Sequence, residues 1–270
     1  TKTVKPTSLD TSITLRFNWN APIALDPHSP DGVYYGSQHL HYSANRGDDW
    51  EVLSPDLSTN DPEKQKQNAS GGMTIDATGA ENHTTTLSIA PSPVDKNVIW
   101  VGTDDGNVQV TEDGGKTWKN MGLEKTGRIG RVIVHPTNPD IVYAAALGHT
   151  YGPQQERGVY KTMDGGKNWE RIFFVDENTG AAELALDPKN PDRLLVGMWS
   201  IHINTWGLRS GGAGGGIYRT MDGGNSWEAM TKNGLPGGKD NPVGKTAVAI
   251  SHSNPDIVYA LFEIDSPALY

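Results

Sequence analysis

The sequence predicts an all-β fold assembled from repeated four-stranded units, and three observations carry that expectation. The first is an eight-residue pattern, Ser/Thr-x-Asp-x-Gly-x-x-Trp, at residues 111–118, 162–169 and 220–227, with a worn copy at 43–50. Recurrence of this kind marks a repeat architecture before any single residue is considered. The second is a proline-containing turn, often Asn-Pro-Asp, at 26–31, 90–95, 135–140, 187–192 and 251–256. The third is alternation: Val108 and Val110, Tyr160 and Thr162, and Tyr218 and Thr220 lead into the three full copies of the pattern, as strands entering a turn do.

Each element follows in order. Short apolar stretches flank the proline turns, for example 131–134 then 141–145, and 247–250 then 257–261. Proline cannot continue a strand, so the turn separates a strand A from a strand B. A loop of variable length follows, then strand C, the eight-residue pattern, and strand D. Four strands per repeat match a β-propeller blade. The expected blades are 20–54, 85–121, 128–175, 181–230 and an incomplete 245–270 that stops after strand B. They make about five units of one propeller domain over 1–270, an incomplete or fragmentary ring. Within 1–18, the alternating segment 12–17 is expected to supply a closing strand, and no helix should exceed about two turns.

The eight-residue pattern has a physical job in such a blade. Its Asp can accept hydrogen bonds from turn amides, its Gly supplies a positive φ, and its Trp offers a broad face to a neighbouring unit. Asp113 with Trp118, Asp164 with Trp169, and Asp222 with Trp227 are therefore structural. Copies at four places around a repeat cannot line one catalytic or calcium site.

Composition sets outer limits. A net charge of −9 argues against nucleic acid as a partner, whose binding runs on positive charge. No window reaches the run of about 18 apolar residues of a membrane span. Thiolate metal sites and disulfides are excluded by the lack of cysteine. His149 and His202 lack metal-ligand spacing, so neither a metal nor a cofactor is expected. Hydrophobic residues make up 35% of the chain, and 32 Gly and 17 Pro suit many short strands joined by turns. The chain starts at Thr1 and stops at Tyr270 inside a blade, which reads as a fragment or processed piece, with further chain segments completing the propeller. Asn68-Ala69-Ser70 and Asn82-His83-Thr84 match the glycosylation pattern, which is common by chance.

The repeated pattern resembles the Asp-box, or bacterial neuraminidase (BNR) repeat. Longer stretches resemble one family more closely: Arg128-Ile129-Gly130-Arg131-Val132, His135-Pro136, Asn138-Pro139-Asp140, Ala146-Leu147-Gly148-His149, Glu156-Arg157-Gly158-Val159-Tyr160, and 176–181. So do Arg16-Phe17-Asn18-Trp19-Asn20, Ser54-Pro55-Asp56-Leu57 and 100–110. They are similar to the large bacterial sortilin-type or "glycosyl hydrolase" BNR-repeat proteins built from two propellers. Residues 12–118 resemble the family's second propeller and 119–270 its first. The resemblance implies an exported bacterial protein, periplasmic or extracellular.

The proline turns and Asp-boxes are short and uniform, so the blade face carrying them reads as scaffold. Irregular length collects on the other face, where binding usually lives. Loop 147–158 carries His149, Tyr151, Glu156 and Arg157; loop 199–216 carries Trp199, His202, Trp206 and Arg209. Crossing 55–84 holds Asp76, Glu81 and His83, and Arg128, Arg131 and Glu183 fall near the channel mouth. Trp199 and Trp206 could stack on sugar rings. Arg128, Arg131, Arg157 and Arg209, with His149 and Tyr151, could hold a polar ligand. Glu183, Asp104, Asp105 and Glu156 are the candidates for a glycosidase carboxylate pair. No Gly-x-Ser-x-Gly elbow exists, and the Gly-rich run 211–216 lacks the strand-then-helix context of a phosphate loop. The reading is a non-catalytic binding or assembly module with a protein partner or glycan on the long-loop face. The alternative is a glycoside hydrolase, xyloglucanase-like or sialidase-like, acting on a polysaccharide.

Overall fold

The computed structural model describes residues 4–8, 12–66, 82–204, 206–264 and 268–269. It is all-β, with five antiparallel sheets and no α-helix among the described residues; a single 3-10 turn stands at Pro62–Gln65. The chain divides into two compact units, Thr1–Pro139 and Asp140–Tyr270.

The first unit holds two complete sheets. One contains β1 (Ile23–Leu25), β2 (Val33–Gly36), β3 (Leu40–Ser43) and β4 (Glu51–Val52) in sequence order. The other contains β5 (Thr86–Pro91), β6 (Ile99–Thr103), β7 (Val108–Thr111) and β8 (Lys119–Asn120). β9 (Ile129–Val134), first strand of the third sheet, closes this unit. The second unit opens with that sheet's remaining strands, β10 (Val142–Ala146), β11 (Gly158–Thr162) and β12 (Glu170–Phe173). The fourth sheet runs β13 (Thr179–Leu186), β14 (Leu194–Asn204), β16 (Gly216–Thr220), β17 (Glu228–Ala229), with β15 (Gly207–Ser210) paired to the far end of β14. The fifth holds β18 (Thr246–Ile250), β19 (Val258–Phe262) and β20 (Ala268–Leu269). It was expected to stop after its second strand; β20 adds a third, antiparallel to β19.

The Asp-box works as its chemistry requires, three times over. Asp113 accepts from Thr117 N at 2.9 Å and Thr117 Oγ1 at 2.6 Å. Asp164 does the same with Asn168 N and Nδ2, and Asp222 with Ser226 N and Oγ. Gly115, Gly166 and Gly224 sit at φ 99°, 87° and 102°, donating to the Thr hydroxyl that opens each box. In the worn copy Asn45 takes the Asp place and accepts from Asp49 N at 2.9 Å. The boxes are also tied to the proline turns: Arg46, Gly114, Gly165 and Gly223 donate their N–H to the carbonyls of Asp31, Asn97, Asp140 and Asp192. Both short turns of a blade therefore share one face, and that face is scaffold.

Two of the box tryptophans reach back one blade. Trp118 Nε1 donates to Leu53 O, just past β4, and Trp227 Nε1 donates to Ile172 O in β12. Trp227 also stacks on Phe173 at 4.7 Å. Sheet stacking is set by a glycine in the second strand of the first, second and fourth sheets. A Cβ added at Gly36 would strike Thr86, one at Gly102 would strike Ile129, and one at Gly197 would strike the Thr246 carbonyl. In each case the next sheet's first strand fills the space, and apolar cores form between, such as Tyr34 with Ile89, and Leu195 with Val248 and Ile250.

Residues 12–17 form no strand. The segment is tied down inside the first unit instead. Arg16 N donates to Gln38 Oε1, Gln38 Nε2 donates to Thr14 O, and Arg16 Nη2 meets Asp56 Oδ2 at 2.5 Å. Asn82 of the second glycosylation pattern donates its side-chain amide to Phe17 O; Asn68 lies outside the described residues.

Candidate functional site

The expected site residues separate into scaffold and surface. Asp104 is 2% exposed, accepting from Thr85 N, Thr85 Oγ1 and Asn18 Nδ2 at 2.8–3.1 Å. Burial raises its pKa, while the neighbouring His83, 4.0 Å away, pulls it down. Asp105, equally enclosed, is consumed by Thr59 N, Thr59 Oγ1 and Thr103 Oγ1. These carboxylates brace the first unit's loops, and their hydrogen-bonding capacity is spent on the protein. Arg128 and Arg131 are half-buried at the start of β9, with the Arg128 charge felt by Asp104. Asp76 and Glu81 lie outside the described residues.

In the second unit Arg157 also turns inward. It is fully buried and donates to the carbonyls of Asn178, Gly152 and His149. Burial lowers its pKa to about 10. Arg157 is thus the post around which loop 147–158 wraps, since a planar guanidinium can hold several carbonyls at once. His149 is exposed on that loop, with its N–H fixed by Gln154 Oε1; Tyr151 and Glu156 are half-buried. Glu183 is half-buried in β13 opposite Gly197, its Oε1 accepting from Leu184 N.

Segment 199–216 is not a loop but a β-hairpin. β14 runs eleven residues and folds back as β15, in register from Ile201↔Ser210 to Asn204↔Gly207. The alternation Ile201, Ile203 and Leu208 suits this strand pair, yet the surrounding glycines read as loop. The hairpin is anchored on loop 147–158 by Ile203 N donating to Thr150 O at 2.6 Å. Trp206 stands at its tip, 87% exposed, with Leu208 60% exposed beside it. Arg209 is exposed opposite His202. Trp199 instead packs at the hairpin base, its Nε1 donating to Ser210 Oγ at 2.8 Å and Lys245 Nζ lying 5.4 Å above the ring.

Beside this base opens a groove of about 620 Å3, lined by Ser210 to Gly212, Asn241 to Gly244, Glu263 and Ile264. Glu263 Oε2 accepts from Ser210 Oγ at 2.5 Å and from Lys245 N at 2.7 Å. Sequence reasoning passed over Glu263 and the crossing 230–244. Two signals stood there: the irregular length of that crossing, rich in glycine and proline, and the place of Glu263 just past strand B, where Trp199 and Asp104 stand in other units. Among the described residues no cluster of acidic and histidine side chains could hold a metal ion, and no helix is long and apolar enough to cross a membrane.

Fold and boxes define an Asp-box β-propeller repeat protein. The Sortilin-Vps10 family model, described as sortilin, neurotensin receptor 3, matches residues 67–173 and 106–235, more than half of the chain. The chain belongs to that family. It is 25% identical, across 92% of its length, to the oligoxyloglucan-reducing end-specific xyloglucanase of Emericella nidulans, and spans 32% of that protein. It is also 25% identical over 52% of its length to the photosystem II assembly lipoprotein Ycf48 of Trichormus variabilis, of which it spans 47%. Among solved structures it is similar to the GH74 xyloglucanase from Xanthomonas campestris, with TM-score 0.64, 16% identity, 92% of this chain and 36% of that one. An ancestral GH74 enzyme gives 0.60 at 19% identity, covering 93% of this chain and 30% of the other. The chain therefore spans about a third of the xyloglucanases it matches, and the structural likenesses speak to fold.

Proposed function

We propose that this chain is a binding or assembly segment of an exported protein, with its ligand or partner on the hairpin face of the second unit. The observation that carries the reading is the β14–β15 hairpin, which presents Trp206 and Leu208 to solvent beside a polar groove. A surface that leaves a large aromatic uncovered over a rigid two-stranded arm suits recognition. The candidate acids favour binding over hydrolysis. Two of the four are locked in hydrogen bonds of the scaffold, and neither Glu156 nor Glu183 is fully exposed.

A glycoside hydrolase acting on a polysaccharide is the second reading, favoured by the xyloglucanase relative that matches nearly the whole chain. One experiment separates the two. The protein is titrated with xyloglucan oligosaccharides and with a glycan array, and release of reducing sugar is measured in parallel. The binding reading expects Trp206→Ala and Arg209→Ala to weaken binding at least tenfold with the melting temperature unchanged, and no sugar release. Cleavage that disappears in Glu183→Gln would put the hydrolase in its place.

A further inference from the structure

The hairpin has an unused strand edge. In an antiparallel ladder, alternate residues turn their N–H and C=O away from the partner strand. Two backbone hydrogen bonds fix which ones. Gly211 N donates to Ser200 O, and Ile203 N points away from β15 to Thr150 O. With the register Ile201↔Ser210 and Ile203↔Leu208, this places the N–H and C=O groups of Leu208 and Ser210 on the outer edge of β15. No strand pairs with that edge among the described residues. Natural edges are usually blunted by proline, bulges or covering loops. β15 holds neither proline nor bulge, and its one charge is Arg209; the crossing 241–244 pairs with this stretch of chain only beyond β15, where Gly212 bridges Val243.

We infer that the edge of β15 at Leu208–Ser210 accepts an extended peptide by strand addition, with an apolar residue over Leu208 and a basic residue over Glu263. The chemistry of the edge selects this partner. Main-chain groups of an incoming strand would satisfy those of Leu208 and Ser210, while alternate side chains supply specificity. Leu208 and Ser210 share one face of the hairpin. Leu208 offers exposed apolar surface there. Ser210 leads to Glu263, whose Oε2 is held by Ser210 and the Lys245 amide and whose Oε1 has no partner among the described residues. The groove beside Ser210 to Gly212 leaves room for a long side chain. Between these positions Arg209, on the opposite face, favours an acidic residue. In antiparallel orientation the core motif reads basic–acidic–apolar. This names the partner class of the hairpin face and rests on the binding reading above.

The test uses a capped nonapeptide of Ser and Thr with a central Lys-Glu-Val, the reversed Val-Glu-Lys peptide, and a neutral xyloglucan heptasaccharide. Binding is followed by fluorescence anisotropy and by amide exchange across 207–211. One of the two peptides is expected to protect the Leu208 and Ser210 amides. Leu208→Pro removes an outward N–H and leaves the β14–β15 ladder intact, so it should lower affinity at least tenfold with the melting temperature held. Glu263→Gln should lower it several-fold and flatten its salt dependence. The inference is overturned if saturating peptide leaves 207–211 unprotected, if Leu208→Pro binds as well as the parent, or if the saccharide alone protects these amides. Loss of ligand binding in Trp206→Ala, with Leu208→Pro unaffected, would sink strand addition while leaving the hairpin face as the site.

Discussion

At the scale of single residues, the three full Asp-boxes make a statement about pH. Asp113 is held at about 2 by the hydroxyl and amide of Thr117, Asp164 by Asn168, and Asp222 by Ser226. Each native carboxylate binds its proton more weakly than an unfolded one, near 3.9. The stability this contributes is therefore complete above about pH 4 and is lost as the pH falls from there towards about 2. Acid titration of the triple Asp113→Asn, Asp164→Asn, Asp222→Asn variant should be flatter over that window than the parent's. Coincident slopes would show that the boxes do not govern acid unfolding. Asp104 gives a different expectation. Ala there removes the carboxylate that accepts from Thr85 N and Thr85 Oγ1 and leaves the Asn18 amide with Thr85 Oγ1 alone, at a cost of about 1–3 kcal/mol. The loss should appear in denaturant midpoints and not in ligand affinity. Arg157 should resist even conservative change: Lys cannot reach the carbonyls of His149, Gly152 and Asn178 together, so Arg157→Lys should open loop 147–158 to protease. A cleavage pattern matching the parent's would refute that role.

At the scale of elements, the blade is a set of small-residue choices. Gly36, Gly102, Ala145 and Gly197 occupy one position in successive second strands, and the next sheet's first strand lies over the glycines. Gly197→Ala forces a methyl onto the Thr246 carbonyl, a backbone atom with no rotamer to yield. The expected cost is about 1–3 kcal/mol, as for overpacking elsewhere, read from equilibrium unfolding. An unchanged midpoint would mean that the fourth and fifth sheets are not packed together. This level of organisation was largely legible. Pro turns and boxes announced strands, turns and blade order because each depends on local chemistry, namely fixed φ, positive φ and an Asp that folds back on its own turn. The hairpin at 199–216 was hidden because its glycines carry a loop signal that local reading cannot outweigh, although Ile201, Ile203 and Leu208 alternate through it. The short β20 was missed for a related reason: two residues are too few for any period. Inward-facing Arg157 and Asp104 were not separable from ligand-binding residues, since burial of a charged side chain is decided by distant segments, such as Asn178 for one and Asn18 for the other.

At the scale of the whole chain, the two ends of the sheet series differ from its middle. Trp100, Tyr143 and Leu195, on successive second strands, are buried, whereas Tyr259 at the same place in the fifth sheet is 51% exposed and Leu261, in the glycine position, 50%. A leucine there cannot take a following strand as closely as Gly102 or Gly197 does. The first sheet likewise exposes Ile23, Leu25 and Val52. Exposed apolar side chains on the end sheets are a liability for association, opposed by the net charge of −9. Two substitutions weigh one effect against the other. Leu25→Lys and Leu261→Lys replace exposed side chains, so each should move stability by no more than about 0.5 kcal/mol. Together they should reduce binding of a hydrophobic dye and the concentration dependence of sedimentation. Each adds a positive charge and so lowers the net negative charge, which by repulsion alone would favour association. A fall in association would therefore identify the apolar faces as the cause. A rise, or an unchanged dye signal, would show that these faces are covered in solution and that charge governs the solubility of the chain.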